Sequence, residues 1–451
     1  MTSPPATPPT ELPPDPQSWR FKDSGAPCEW AKEYRPGGFH PVNLGDTFRD
    51  GKYKVIRKLG DGLFSTVWLV VNTGTPRYVV LKIMVAKAPT TNTELRILNY
   101  LSKVAPRDIR AQHVTVLLDT FHHQGINGKH QCLVFEPMGA TAASLVEELP
   151  ENKPKMYGKR QRYLKRMAKN TLLHALRGLA FLYQNGVVHG DVQSGNLLFS
   201  IEDISSVGED NLKQDEASIA IPLHRVDGKA DRWAPKILYL KQPLYDRMQR
   251  GPELCVKLSD LGLGELPTKS LPKNVKILYS NRMPVAFWLT DPPRDTVTPI
   301  SLRAPELILH QPFGCGIDMW SFGCLMFEFL TGRTLFAVGM LGNDQKEQDD
   351  ADDDHLFQFN DVIRPLPDSI MAAWPRASKC YKTNRQRLQP YSNDEPYIHQ
   401  SLEVLLAEHR PTEIDNGESA VLWSLMQQIL EYDPAKRPSA VDLLKHPWFS
   451  E

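Results

Sequence analysis

Three groups of residues have the types and spacing that phosphate and hydroxyl chemistry needs. The first is Gly60-Asp61-Gly62-Leu63-Phe64-Ser65-Thr66-Val67. Two glycines allow a tight turn whose backbone N–H groups approach phosphate oxygens with no side chain in between. Taken singly, such a run reads as a hairpin turn. It gains weight because Lys82 follows twenty residues after Gly62, at the end of the next strand-like run. A lysine buried beneath a phosphate-covering loop needs a counter-charge, and Glu94, at the start of the following helical segment, can supply it. By itself Glu94 reads as a solvated first-turn acid. The second group is His189-Gly190-Asp191-Val192-Gln193-Ser194-Gly195-Asn196. Asp191 and Asn196 are five apart, so one loop can aim both at one centre, one orienting a hydroxyl nucleophile and the other binding a divalent cation. The third is Asp260 in Val256–Gly262, a strand-like run ending in a turn. Each acid alone also reads as a cap or turn residue; their joint occurrence in this order points to a shared site.

The elements that must position these groups follow from periodicity. Tyr53–Leu59, Thr66–Val71 and Tyr78–Ile83 read as strands separated by turn residues. A helix is expected over Thr91–Ser102, with Leu95, Leu98 and Leu101 on one face. Strands are expected at Val114–Phe121 and Gln131–Phe135, bracketing the turn Gly125–Gly128. Beyond them the chain is helix-rich, with strong periodicity at Tyr163–Asn185, Cys315–Thr331 and Ala420–Glu431. The expected organisation is α+β: a disordered Pro-rich arm over 1–29, a small β-rich lobe over 30–137 and a larger helical lobe over 138–451. Seven prolines in residues 1–16 carry the first assignment. Three stretches interrupt the pattern: the polar residues 201–250, the irregular residues 263–284 and the acid-rich residues 343–354.

Composition narrows the function classes. Of 451 residues, 41 % are hydrophobic, which is enough for a large core and excludes wholesale disorder. Lys plus Arg equals Asp plus Glu at 53 each, so the chain has no charge bias towards nucleic acid or a membrane surface. No apolar run approaches the roughly 18 residues that span a bilayer. The six cysteines lack metal-type or disulfide-framework spacing, so a reduced cytoplasmic or nuclear setting is expected. No membrane or direct nucleic-acid partner is expected, and the chain is expected to be a monomer.

Together the motifs resemble the eukaryotic protein kinases. The series is G-x-G-x-F-S-x-V, Val79-Val80-Leu81-Lys82, Glu94, H-G-D-x-x-x-x-N, Asp260-Leu261-Gly262 and Arg303-Ala304-Pro305-Glu306. Asp318-Met319-Trp320-Ser321-Phe322-Gly323, Asp433–Pro438 and His446–Phe449 continue it, so the resemblance covers about residues 34 to 451. A narrower likeness is to the serine/arginine-rich protein kinases of fungal type. It rests on Tyr34–Val42, Ile56–Gly60, Phe64–Leu69, Leu133–Glu136, the long insert after the catalytic loop, and Asp352-Asp353-Asp354-His355-Leu356. The resemblance implies a bilobal kinase fold, ATP and Mg²⁺ as cofactors, and Ser/Thr hydroxyls of Arg/Ser-rich proteins as substrates. It assigns Lys82 to the α- and β-phosphates, Asp260 and Asn196 to metal, and Asp191 to the substrate hydroxyl. It places the nucleotide among Leu59, Gly60, Gly62, Ser65, Val67, Val80, Lys82 and Glu94. Phe135 is the implied gatekeeper and Glu136 to Met138 the hinge. Asp318 and Arg437 are implied to be structural. The acidic run reads equally as a docking groove for arginines or as a solvated loop.

Four departures from the family pattern stand out: Ser65 for a third loop glycine, Val80 for alanine, Gly190 for arginine, and Gln193 for the catalytic-loop lysine that meets the γ-phosphate. The stretch Leu263–Pro284 has no clear counterpart and reads either as a mobile loop or as an error in the gene model. Three functions stay open on the sequence. They are a serine/threonine protein kinase of reduced activity, in which Gln193 is a catalytic residue; a pseudokinase scaffold; and a small-molecule phosphotransferase of aminoglycoside-kinase type. The last is disfavoured by Ala304-Pro305-Glu306 and Asp318–Ser321, which shape a protein-substrate lobe.

Overall fold

β-Branched and aromatic residues between Tyr53 and Met84 form three antiparallel strands that open a six-stranded sheet. The structure, a computed structural model, describes residues 7–8, 19–22, 25–75, 77–87, 92–153, 161–215, 220–249, 251–261, 263–265, 282–284, 286–293, 298–339, 345–388 and 398–450. The sheet contains β1 (Thr47–Phe48), β2 (Tyr53–Gly62), β3 (Ser65–Asn72), β4 (Arg77–Met84), β5 (Asp119–Gly125) and β6 (Gly128–Phe135), in the order β1-β2-β3-β4-β6-β5. The β2–β3 hairpin closes at Gly62 opposite Ser65, which leaves Leu63 and Phe64 as its tip. Lys82 lies opposite Val67 on one side and Leu133 on the other, so it belongs to a central strand. Val55, Trp68, Val70, Leu81 and Val134 bury the face of this sheet opposite the one that carries Lys82.

Helix α1 (Asn92–Val104) turns Ile97, Leu98 and Leu101 into the core that continues through the larger lobe. β5 starts later than its apolar run suggests. Ile109–His113 forms a 3₁₀ turn, and Val114 bridges to Leu258 instead of joining the sheet. The larger lobe is built on α2 (Lys165–Gln184) and on the Gly316–Thr331 helix, which is buried nearly all round. A small β-rich lobe followed by a large helical lobe is the kinase-type α+β arrangement.

Three expectations require correction. Order does not wait for Trp30: Phe21 is buried with Tyr34, Phe39 and Leu238, and Glu29 is buried against Lys58. The 201–250 insert is not an appendage of the large lobe. It crosses to the small lobe, where Ile204, Leu212 and Leu244 pack on Ile56, Leu69 and Tyr78. There Arg57 donates to the carbonyls of Gln242 at 2.7 Å and Leu212 at 3.3 Å. The acidic run is not a loop: Gln345–Gln358 is a helix with Asp352 and Asp353 buried and Asp349, Asp350 and Asp354 half-buried. Asp353 accepts from Trp374 Nε1 at 2.7 Å and from Arg376 Nε at 2.9 Å, so its charge is used to hold the following segment. Of the 263–284 insert, only Leu263–Glu265 and Arg282–Pro284 are described, as a short antiparallel pair.

Arg437 and Glu306 lock the large lobe. Two bonds of 2.6 and 2.8 Å join them, and both side chains are almost wholly buried. Arg437 also donates to the carbonyls of Glu431 and Gly316. Breaking one side of such a pair leaves an uncompensated buried charge. Glu306→Gln is therefore expected to lower unfolding stability by about 3–5 kcal/mol, while Glu306→Gln with Arg437→Met should lose less than that. Urea unfolding of the two variants checks both.

Candidate active site

Two short strands bring the polar groups together. β7 (Leu197–Phe199) directly follows Asn196, and the strand Val256–Leu258 ends two residues before Asp260; they pair with Leu258 opposite Leu197. Asn196 and Asp260 therefore emerge side by side. Ser259 adds two bonds to the Asn196 carbonyl, from its N–H at 2.8 Å and from its hydroxyl at 3.1 Å. Asp260 itself stands at φ 61°, the left-handed region that a non-glycine residue enters only when its surroundings enforce it. That turn sends its carboxylate into the cleft between the lobes.

There Asp260 Oδ1 accepts a bond from Lys82 Nζ at 2.7 Å. This corrects the expected pairing: Lys82 meets Asp260 directly, whereas Glu94 acts on it from a longer range. The backbone twist at Asp260 decides between the two carboxylates. Burial pushes the Lys82 ammonium down, but Asp260 and then Glu94 outweigh it and hold its pKa above the usual value. Burial raises the pKa of Glu94, with Lys82 opposing that rise.

The catalytic-type loop hangs from one buried carboxylate. Asp318 accepts from the amides of His189 at 2.8 Å and Gly190 at 2.7 Å, and from the Tyr183 hydroxyl at 3.2 Å. Burial nevertheless pushes its pKa up to about 7. Gly190 has φ 80°, so a side chain at this position would be strained. His189 is neutral because burial lowers its pKa to about 4; its Nε2 bonds the Ser259 carbonyl, and its Nδ1 accepts from the Asp191 amide. Asp191 is the densest node. Gln193 Nε2 donates to both of its carboxylate oxygens at 2.7 Å, and Asn196 Nδ2 donates to one of them at 2.8 Å. Burial raises Asp191 to about 6, with the Gln193 and Asn196 bonds pulling the other way.

A cleft of about 350 Å³ runs between the lobes. Leu59, Gly62, Ser65, Val67 and Val80 line its upper wall, Phe135, Glu136 and Met138 its back, and Lys82, Glu94, Asn196 and Asp260 its polar end. Gly60 falls just outside the lining, and Asp191 and Gln193 lie beyond its edge. Lys241, Pro243 and Tyr245 also line the cleft. Sequence reasoning missed them because a polar insert carries no signal of where it will pack. It also missed Thr298, whose buried hydroxyl donates to the Gly190 carbonyl at 2.7 Å, and Lys257, whose ammonium holds Glu136 at 2.6 Å.

The donor set suits a hard cation. Asp260 offers a carboxylate and Asn196 its amide oxygen, both facing the polar end of the cleft. A second cluster, His113, His174 and Cys255, brings ligand-type atoms within 4.8 Å of one another. Its two rings stack at 4.4 Å and 22°, so their in-plane lone pairs do not converge on one point.

The protein kinase domain family model matches residues 53–213 and 244–449, and so passes over most of the insert. Serine/threonine-protein kinase SRPK of Physarum polycephalum is 28 % identical over 436 residues, covering 94 % of this chain and 91 % of that protein. Protein kinase dsk1 of Schizosaccharomyces pombe is 26 % identical, covering 94 % of this chain and 85 % of its own length. SRSF protein kinase 3 of Homo sapiens is 24 % identical, covering 93 % and 90 %. Among solved structures, a kinase domain aligns over 90 % of this chain and 98 % of its own with a TM-score of 0.58 and 21 % identity, a likeness of fold. Among the described residues no helix is long and apolar enough to cross a membrane.

The Asp318 anchor generates a stability prediction. Asp318→Ala leaves two buried amides without an acceptor, at roughly 1–3 kcal/mol each, whereas Tyr183→Phe removes one donor of three and costs about 1 kcal/mol. Calorimetric unfolding should rank the variants in that order.

Proposed function

The chain belongs to the protein kinase family, and we propose from that premise that it transfers the γ-phosphate of ATP to Ser/Thr hydroxyls of Arg/Ser-rich proteins. The observation that carries this reading is Lys82, Asp260 and Asn196 at the polar end of one cleft, with Asp191 bonded to Asn196 just beyond its edge. The substrate class rests on the names of the SRPK-type relatives. A cytoplasmic or nuclear setting suits the same class.

In this reading Lys82 binds the α- and β-phosphates, and the Gly60–Gly62 loop covers them with backbone amides. Asp260 and Asn196 would hold Mg²⁺, which supplies positive charge to the β- and γ-phosphates when bound. The backbone of Glu136 to Met138 reads the adenine beyond Phe135, while Lys257 fixes the Glu136 side chain outside that contact. Asp191 orients the substrate hydroxyl and receives its proton.

Gln193 needs a different role from the lysine it replaces. Its amide is committed to both oxygens of Asp191, so it steadies that carboxylate and brings no net charge to the γ-phosphate. A missing stabilising contact of this kind costs roughly 10²–10³-fold in rate where it has been isolated. The loss is smaller here because Lys82 and the metal sites carry most of the charge. The pseudokinase reading draws on Gln193 alone. The retained lysine, metal-site oxygens and Asp191 favour a slow kinase instead.

Three measurements test this. An Arg-Ser repeat peptide should be phosphorylated with a higher kcat/KM than the same peptide with alanine for arginine, and equal values would remove the substrate class. The reaction needs Asp191 ionised, so kcat should rise with pH through about 6. Gln193→Leu removes bonds that favour the carboxylate, so its acidic limb should move to higher pH. Gln193→Lys should raise kcat with little change in the KM for ATP.

A further inference from the structure

Strand β2 leads directly into Gly60-Asp61-Gly62, and it carries a lysine whose side chain is 0 % exposed. The Lys58 ammonium pairs with Glu29, lies 3.4 Å from Asp61 Oδ1 and donates to the Tyr239 carbonyl at 2.9 Å. Two acceptors, Glu29 and the Tyr239 carbonyl, hydrogen-bond this desolvated ammonium, and Asp61 stands at ion-pair distance without a hydrogen bond. The three partners come from separate parts of the chain: the segment before the sheet, the tip region of the glycine loop and the 201–250 insert. The Glu29 and insert ends are themselves braced. The Tyr34 hydroxyl donates to Glu29, and the Lys58 amide donates to Gln214, whose own amide bonds the Leu240 carbonyl at 2.8 Å.

Beyond its pairing in the β2–β3 hairpin and the Val85 amide bonded to the Phe64 carbonyl, the loop makes few contacts. Nothing lies within 4 Å of where a Gly62 side chain would begin, and Leu63 is 65 % exposed. Its other anchor is Phe64, buried in the same cluster as Phe21, Tyr34 and Phe39. The segment around residues 21–39 therefore grips the loop twice, by charge at Asp61 through Lys58 and by packing at Phe64.

We propose that Glu29 is a positioning residue for the nucleotide: through Lys58 it holds Asp61, and with it the glycine loop, where the loop amides meet the phosphates. The inference rests on the reading of Gly60–Gly62 as a phosphate-covering loop. Loss of the Glu29 charge leaves Lys58 buried with Asp61 as its remaining carboxylate, so the loop is drawn out of position. Loss of the Asp61 charge releases the loop from the same node.

Isothermal titration of the full chain with Mg-ATP and, separately, with adenosine distinguishes this from a structural role, because only the first ligand has phosphates. Glu29→Gln and Asp61→Asn are each expected to weaken Mg-ATP by about tenfold, the effect of one lost charge-assisted link, and to leave adenosine unchanged. Their double variant should lose less than the two single losses combined. Asp61→Asn lies at a partly exposed site and carries the test if Glu29→Gln does not fold. Unchanged Mg-ATP affinity in Asp61→Asn, or equal weakening of both ligands, overturns the inference. A wild-type chain that binds adenosine but gains nothing from the phosphates overturns the phosphate-loop reading itself.

Discussion

A cation and two carboxylates share one partly desolvated cleft, and the rest of the molecule is arranged around that constraint. Lys82 is fixed by the register of a central strand, while Asp260 arrives on a strained turn after a two-strand pairing. Their 2.7 Å contact satisfies the ammonium, and Glu94 adds charge from further off. Burial penalises the Glu94 charge, and Lys82 opposes that cost, while the Asp260 side chain stays 45 % exposed. The catalytic-type loop is placed by a comparable device, the buried Asp318 carboxylate that gathers the His189 and Gly190 amides.

Much of this was legible because it is local. Glycines two apart, alternating strands that set Lys82 inward, and an Asp and an Asn five apart are statements about neighbouring residues. The helical lobe was equally readable from apolar periodicity in Tyr163–Asn185 and Cys315–Thr331. The choice of partner for Lys82 was not, because it turns on one backbone angle at Asp260. The acidic run misled for a similar reason. A charge-rich string reads as solvated, yet Asp353 is buried by Trp374 and Arg376, more than twenty residues later. The 201–250 insert left no trace of its destination, since Arg57 and Gln242 are 185 residues apart.

The departures from the family pattern fit a single physical picture. Gln193 supplies hydrogen bonds to Asp191 in place of a charge for the phosphate, and Gly190 accepts a left-handed backbone that an arginine would resist. The chain thus keeps its acids in place through amides and backbone geometry more than through added cations. The insert and the N-terminal segment extend this by bracing the small lobe from outside, where Lys58 joins them to the glycine loop.

The central claim is that this cleft performs phosphoryl transfer with Asp191 as the hydroxyl-orienting group. Rapid-quench single-turnover transfer from γ-labelled ATP to an Arg-Ser peptide tests it most directly, with nucleotide binding followed in parallel. The account predicts label on serine with the wild type, none with Asp191→Asn, and equal Mg-ATP binding by both. Wild-type protein that binds Mg-ATP and never labels any peptide, or transfer that survives in Asp191→Asn, would contradict it.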